Sequence, residues 1–368
     1  MSLSGRFRAV SYRDLPGWSE DDGLSEALAA FARSGLVAEV RPYRTGSLGV
    51  AAEVFSAAYA QARTLRQPLG SAEARDFFEE HFLPFHVEPE SAAQGLVTGY
   101  YEPEVEASLC RSDRFKVPLY RRPDDLVDVD DGNRPQGFDP YLAFARHTAD
   151  GLAPYWDREA IDKGVLDDRN LELCWLEDRV DAFFIHVQGA ARLRLTDGRQ
   201  MRVSYAAKAG HRFTGIGRLL ADLGEIPLEE VSMQSIRAWL ARNPQRQDEI
   251  LWHNRSYIFF RETPLGEADL GPVAAAKVQL QPGRSIAVDR QLHTFGTPFF
   301  IHAPELRHVD GRPFRRLMIG QDTGSAIVGA ARGDLFVGTG KEAGEIAGTI
   351  RHPADFYAFL PRSLVSST

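Results

Sequence analysis

Apolar residues recur at helical spacing in the first part of the chain. Leu24, Leu28, Phe31 and Ala32 predict a helix over 24–36. An alanine-rich run predicts a second over 48–65. Ser71 reads as the N-cap of a third, with Glu73 and Asp76 supplying acids to its first turns and Pro84 ending it. The three read as a packing layer. Residues 95–101 then read as a strand, and short strands with Pro and acidic turns follow. The clearest β pattern spans 181–205. Phe183-Phe184-Ile185-His186-Val187 reads as an apolar strand; 191–195 and 201–205 alternate and are joined by the turn Thr196-Asp197-Gly198-Arg199. Helices are predicted over 212–223 and 232–240, the second stopping before Asn243-Pro244. Residues 257–260 form another strand. From Val273 to Arg351 short strands alternate with glycine turns, and 353–360 closes the chain.

The candidate chemistry lies in that last region. Asp322 and Asp334 stand twelve positions apart among glycines. Each is close to a short run that reads as a strand, Ala326-Ile327-Val328 and Leu335-Phe336-Val337. Glycine permits tight turns and close backbone approach. Two carboxylates delivered by neighbouring strands can face one cleft, as acid-catalysed glycosidic cleavage requires. Asp is also a common turn residue, so the pattern alone leaves open that each merely closes a turn.

This stretch resembles the C-terminal 3D segment of the membrane-bound lytic transglycosylase A (MltA) family. Thr98-Gly99-Tyr100-Tyr101-Glu102-Pro103 resembles another of the family's motifs. Val187-Gln188-Gly189, Ser204-Tyr205-Ala206-Ala207-Lys208-Ala209-Gly210-His211 and Ser232-Met233-Gln234-Ser235-Ile236-Arg237 follow in the family's order. So do Asn254-Arg255-Ser256-Tyr257-Ile258-Phe259-Phe260 and Gly283-Arg284-Ser285-Ile286-Ala287-Val288-Asp289. The resemblance implies a mainly β fold. A double-psi β-barrel would be built from 1–107 plus 263–368, with a few N-terminal helices, and a second β-rich domain would be inserted at 108–262. It implies a peptidoglycan lytic transglycosylase that cleaves between N-acetylmuramic acid and N-acetylglucosamine and leaves a 1,6-anhydro ring. One carboxyl suffices for that reaction, because the nucleophile is the sugar's own C6 hydroxyl.

By the same resemblance Asp334 is the acid and then the base, and Asp322 supports it. One departure stands out: the family's acid is often preceded by His-Phe, whereas this chain has Arg332-Gly333. Tyr100 and Tyr101 are candidates for stacking on sugar faces, or else core residues at a strand end. Thr98 and Gln188 are candidate hydrogen-bond partners of the glycan, with Gly189, Gly324 and Gly338 beside them. Lys208 and His211 can meet the lactyl or peptide carboxylates of muramic acid, or can simply be exposed. Asp289 can belong to the same constellation or end a strand. Residues near 98–101 and 188–211 are expected to line one groove with 322–340. The expected partners are peptidoglycan glycan strands and other cell-wall enzymes. The resemblance also implies a periplasmic lipoprotein on the outer membrane, touching the membrane only through a lipid anchor absent from this sequence. Two other readings stay open: an inverting β-1,4-glycan hydrolase using Asp322 and Asp334 as a pair, and a non-catalytic, expansin-like glycan-binding module.

Composition narrows the classes. A chain of 368 residues is long enough for two domains. Hydrophobic content of 43% and charged content of 26% are ordinary for a globular protein. A net charge of −8 argues against a nucleic-acid partner, which calls for a basic stripe. No apolar run reaches the length of a membrane helix, and Met1-Ser2-Leu3-Ser4-Gly5-Arg6 has no apolar leader core. Export permits a bond between Cys110 and Cys174, although a chain of this size needs no such staple. The ten histidines show no metal-ligand spacing, so neither metal nor cofactor is expected. The acidic run 124–131 misses the calcium-loop pattern at its glycine, Gly132, and reads as a solvated loop. Gly338-Thr339-Gly340-Lys341 lacks nucleotide-loop spacing, and Ser204 and Ser325 lack a nucleophile elbow.

Overall fold

The strand Arg351–Pro361 shows how the chain closes on itself. It is long enough to pair with three partners. Its first residues run antiparallel to the strand Gly95–Glu102, with Arg351 opposite Thr98. Its middle pairs with Pro298–Ala303, and its end with Phe82–Val87. The sheet continues from Pro298–Ala303 through Phe314–Asp322, Ser285–Val288 and Arg332–Thr339 back to Gly95–Glu102. Six strands therefore close into a barrel, and Phe82–Val87 and Phe7–Ala9 extend one side of it. This is the double-psi β-barrel. The computed structural model describes residues 3–65, 69–90 and 94–365. The chain forms two compact units, Met1–Tyr101 with Gly266–Thr368, and Glu102–Leu265.

The first unit buries one large apolar core. Phe299, Phe300, Leu317, Phe356 and Phe359 come from the strands, and Phe31, Phe55, Phe78 and Phe82 from the N-terminal segment. That segment carries the helices Leu24–Val40, Ser56–Thr64 and Ser71–His81, with Phe82 opening the strand that follows them. The first is longer than the pattern predicts. The second begins only after a short 3-10 turn at Ala52–Phe55. The third is capped by Gly70 rather than Ser71: the Gly70 N–H donates to Glu73 Oε2 at 2.9 Å. Pro84 does not end that helix; the helix stops at His81, and Pro84 lies in the next strand opposite Phe359. Asp21 ties the N-terminal segment to the barrel. Its carboxylate accepts two bonds from the buried Arg284, at 2.7 and 2.9 Å, and one from the Leu317 N–H at 2.7 Å.

The register between Ser285–Val288 and Phe314–Asp322 is parallel and skips one residue. Ile286 stands opposite Gly320, and Ala287 opposite Asp322. The skipped Gln321 is fully buried and its amide is held at both ends. The amide nitrogen donates to Ala30 O (2.7 Å) and Ser34 Oγ (2.8 Å), and the oxygen accepts from Ser285 Oγ at 2.5 Å.

The second unit is β-rich as well. Its main sheet runs Ile258–Thr263, Gln200–Lys208, Ala190–Leu195, Glu104–Ser108, Glu172–Leu176, Val117–Tyr120. The predicted hairpin through 196–199 is present, with Leu193 opposite Met201. The apolar run at 183–187 is a helix, not a strand. Arg179–Gln188 is capped by Asp178, whose Oδ1 accepts from the N–H groups of Val180 and Asp181, and it ends at Gly189 in the left-handed conformation (φ 79°). Val180, Phe183, Phe184 and Val187 have helical spacing, and a short apolar run does not distinguish the two periods by itself. Cys174 is buried, Cys110 exposed, and both are free thiols. In the acidic loop Asp125 engages Arg169 and the Tyr155 hydroxyl, and Asp128 engages Arg122. Among the described residues no helix is long and apolar enough to cross a membrane.

Arg202 is the largest fully buried side chain of this unit, and it fastens the two ends of the unit together. Its guanidinium grips Glu102, with Nε 2.7 Å from Oε1 and Nη2 3.0 Å from Oε2, and Nη1 donates to the Leu265 carbonyl. Glu102 and Leu265 are the first and last residues of the unit. A buried carboxylate that loses its nearest cation is strongly unfavourable, even with Arg192 Nη2 remaining 3.7 Å from Glu102 Oε2. Arg202→Met is therefore expected to lower unfolding stability by about 3–5 kcal/mol in urea titration, and adding Glu102→Gln to recover part of the loss. Equal stability of parent and Arg202→Met would refute this role.

Candidate active site

Strand alternation sorts the residues of Arg332–Thr339 onto two faces. Leu335 joins the main core. Arg332, Asp334 and Phe336 share the opposite face. Gly95–Glu102 behaves the same way: Val97 is in the main core, whereas Thr98 and Tyr100 lie opposite. Between the two carboxylates runs Ser285–Val288. Ala287 is the register partner of Asp322 on one side and of Asp334 on the other. The two aspartates thus flank one methyl group, about two strand spacings, or 10 Å, apart at the backbone. Tyr100, Leu280, Ala287, Ile327 and Phe336 form a separate apolar cluster around them. Ile327 comes from a turn: residues 326–328 are not the predicted strand, because the chain has already left the ladder after Asp322. Leu335-Phe336-Val337 is a strand, as predicted.

The carboxylates have different partners. Asp322 is held at both oxygens. Oδ1 accepts from the backbone N–H of Thr323 (2.9 Å) and of Ala275 (3.2 Å), and Oδ2 from the Tyr100 hydroxyl (3.0 Å). Asp334 is held at one. Oδ1 accepts from Thr98 Oγ1 at 2.5 Å, and Oδ2 takes no hydrogen bond from the described residues. Thr98 Oγ1 in turn accepts from Arg332 Nη2 at 2.8 Å. Burial pushes both carboxyls up. Asp322 rises to about 6, helped by the negative charge of Asp334 and opposed by its three donors. Asp334 is also raised by burial, and opposed by Arg332 and Thr98. Elevation therefore does not tell the two apart. The hydrogen bonds do: of the pair, only Asp334 keeps an oxygen clear.

Other candidates fall into place individually. Tyr100 and Tyr101 are both buried at the end of their strand. The Tyr100 ring lies 5.3 Å from that of Phe336 and its hydroxyl is taken by Asp322. The Tyr101 ring is so close to Gly344 that a Cβ there would come within 2.7 Å of it. Gly324 is exposed in the turn after Asp322, and Gly338 is buried near the end of Arg332–Thr339. Asp289 ends a strand: its carboxylate closes the following turn on Gln291 N (3.0 Å) and holds Gly329 N (3.0 Å). Gln188, Gly189, Lys208 and His211 belong to the second unit. Gln188 ends a helix and Gly189 caps it. Lys208 Nζ lies 4.8 Å over the Tyr141 ring, and His211 Nε2 is 2.8 Å from the Tyr155 carbonyl. Sequence reasoning missed Ala287 and the Ala275 N–H. It treated Arg332 only as a departure from a motif, although a base two positions before an acid on a strand shares its face.

Comparison with known proteins decides the family. The family described as "MltA specific insert domain" matches residues 96–261, and the "3D domain" matches 284–360. A crystal structure of a membrane-bound lytic murein transglycosylase from Agrobacterium tumefaciens is 51% identical, with a TM-score of 0.90 over 98% of this chain and 99% of that one. The chain belongs to the MltA family. The MltA of Escherichia coli with bound chitohexaose matches with a TM-score of 0.69 and 25% identity, over 98% of this chain and 95% of that one. The curated membrane-bound lytic murein transglycosylase A of Escherichia coli (strain K12) is 32% identical over 69% of this chain, a match spanning 62% of that protein's length. The MltA insert match begins in the strand that carries Thr98 and Tyr100, and the 3D match contains both aspartates.

The raised carboxyl of Asp322 has a consequence for stability. Folded, it titrates near 6; unfolded, it returns to the ordinary value of about 3.9. Between these the folded state holds the extra proton, so this group's contribution to stability falls as pH rises from about 4 to 6 and stays lost above. Asp322→Asn, which removes the ionisation, is expected to gain in melting temperature relative to the parent as pH rises across that window. Melting curves between pH 4 and 8 check this, and a difference that does not vary with pH would contradict it.

Proposed function

We propose that this protein is a peptidoglycan lytic transglycosylase, cleaving the β-1,4 bond between N-acetylmuramic acid and N-acetylglucosamine with formation of 1,6-anhydromuramic acid. The observation that carries the reading is the asymmetry of the aspartates: Asp322 is engaged at both oxygens, and Asp334 presents one. Asp334, whose carboxyl burial pushes up, protonates the glycosidic oxygen. The leaving sugar departs, and positive charge develops on the muramic acid ring. Asp322, across Ala287, stabilises that charge without moving. The C6 hydroxyl then attacks the anomeric carbon and its proton returns to Asp334. No water enters the balance, and one aspartate does both proton transfers.

A hydrolase needs a second carboxylate free to activate water. Two backbone amides and Tyr100 occupy Asp322, which disfavours that alternative. Thr98, Gln188, Gly189, Lys208, His211, Gly324 and Gly338 are proposed as glycan contacts, and Tyr100 as the residue that sets Asp322. Tyr101 is left as support for Tyr100's strand. Glycan binding is supported by the chitohexaose bound to the Escherichia coli relative. Periplasmic residence and a lipid anchor belong to the same proposal, supported by relatives named as membrane-bound.

Muropeptides released from sacculi are expected to be about 18 Da lighter than hydrolysis products, because the internal hydroxyl replaces water. Mass spectrometry reads this directly, and reducing-end muramic acid alone would favour the hydrolase. Asp334→Asn is expected to lose about 10²–10⁴-fold in turnover while still co-sedimenting with glycan. Asp322→Asn is expected to lose less. An Asp334→Asn protein as active as its parent would mean that the wrong carboxylate has been assigned. Binding without turnover in the parent would point to an expansin-like module.

A further inference from the structure

We propose that Arg332 is a positioning residue that acts through Thr98 to keep the transferable proton of Asp334 on Oδ2. The inference rests on Asp334 being the acid of the proposed reaction. A guanidinium only donates hydrogen bonds, and a threonine hydroxyl has one proton and two lone pairs. Arg332 Nη2 donates to Thr98 Oγ1 at 2.8 Å, so one lone pair of the hydroxyl is taken. Its proton points to Asp334 Oδ1 at 2.5 Å. Oδ1 is therefore an acceptor, and when Asp334 is protonated its proton resides on Oδ2, the clear oxygen. Without Arg332 the hydroxyl is free to turn and accept from Oδ1–H. The acid's proton would then sit in a hydrogen bond to Thr98, out of the glycosidic oxygen's reach.

The surroundings fit this role. Arg332 is itself fixed, because Nη1 donates to the Gly333 carbonyl. Two positions separate it from Asp334 on one strand, which puts both on one face. The charged or titratable groups around Asp334 are Arg332 on its own strand, Tyr100 on Gly95–Glu102, and Asp322 across Ala287. Arg351, opposite Thr98 on Arg351–Pro361, acts on Arg332. Arg332 is thus the cation that counters the burial of Asp334 and, among the described residues, the one that donates to the Thr98 hydroxyl. This is also the position at which the chain departs from the His-Phe often found before the family's acid.

The test is a double-mutant cycle of Arg332→Met and Thr98→Val, with kcat and its pH profile measured on sacculi beside Asp334→Asn. The acid must be protonated, so activity falls as pH rises through its pKa. Loss of the cation is expected to move that alkaline limb up by about one pH unit and to lower the acidic plateau about tenfold. Thr98→Val removes the donor to Asp334 and is expected to do the same. On the acidic plateau the double variant is expected to lose little more than either single one, because Arg332 orients the proton through the hydroxyl, whereas the limb shifts, where the cation and the hydroxyl each act on Asp334, are expected to add. Arg332→Lys, which keeps charge and a donor, is expected to recover part of the plateau. Unchanged limb and plateau in Arg332→Met, or additive plateau losses in the cycle, would overturn the proposal while Asp334→Asn remains inactive. Full activity of Asp334→Asn would instead sink the assignment of the acid. If Arg332→Met does not fold, Thr98→Val with Arg332→Lys decides: an unmoved limb in Thr98→Val overturns it.

Discussion

One skipped residue in a parallel ladder decides what this barrel can do. In a regular register Gln321 would stand beside Ala287, and Asp322 would turn to the other side of the sheet. The skip puts Asp322 beside Ala287 instead, on the side where Asp334 already is. An irregularity of this kind leaves backbone and side chain to be satisfied elsewhere. Gln321 provides the compensation: its buried amide is bonded to the helix Leu24–Val40 and to Ser285. The N-terminal helix therefore does more than cover the core. It holds the irregularity that brings two carboxylates onto one face.

Placing two carboxyls in an apolar cluster works against stability, and the structure answers each differently. Asp322 receives three donors, which hold its orientation but do not fully offset the burial. Asp334 receives one hydroxyl, backed by a guanidinium. The first pattern suits a fixed negative group facing developing positive charge. The second suits an acid, since a proton can be given up only from an oxygen with room beside it. The same physical cost, desolvation, falls on both residues, and it is their hydrogen bonds that differ.

Much of this was legible in the sequence because it is carried by period and by motif order. The hairpin through 196–199, the strand around Leu335 and the first helix follow from alternation and spacing. The helix Arg179–Gln188 reads as a strand because five residues in a row, nearly all apolar, satisfy both periods; the decisive signals lie outside the run, in Asp178 and Gly189. The strand expected at 326–328 fails for another reason. Ile327 is buried, but in a turn after the ladder has ended, and burial alone does not make a strand. Of the site, the aspartates are visible as residues and their partners are not. Thr98 and Asp334 are 236 positions apart, and the skip at Gln321 has no local signature.

Both acids are fastened by one strand that carries neither. Thr98 bonds Asp334 and Tyr100 bonds Asp322, and the two donors are alternate residues of Gly95–Glu102. Alternate residues lie about 6.6 Å apart along a strand and point the same way. The short hydroxyl of Thr98 therefore meets a near carboxylate, and the long phenol of Tyr100 reaches a farther one. Exchanging the two side chains would leave one acid unreached and the other overcrowded. The way the two carboxylates are held is in this sense a property of strand geometry and of the lengths of two side chains. Closure of the barrel through Arg351–Pro361 keeps Gly95–Glu102 in the register that makes both contacts at once.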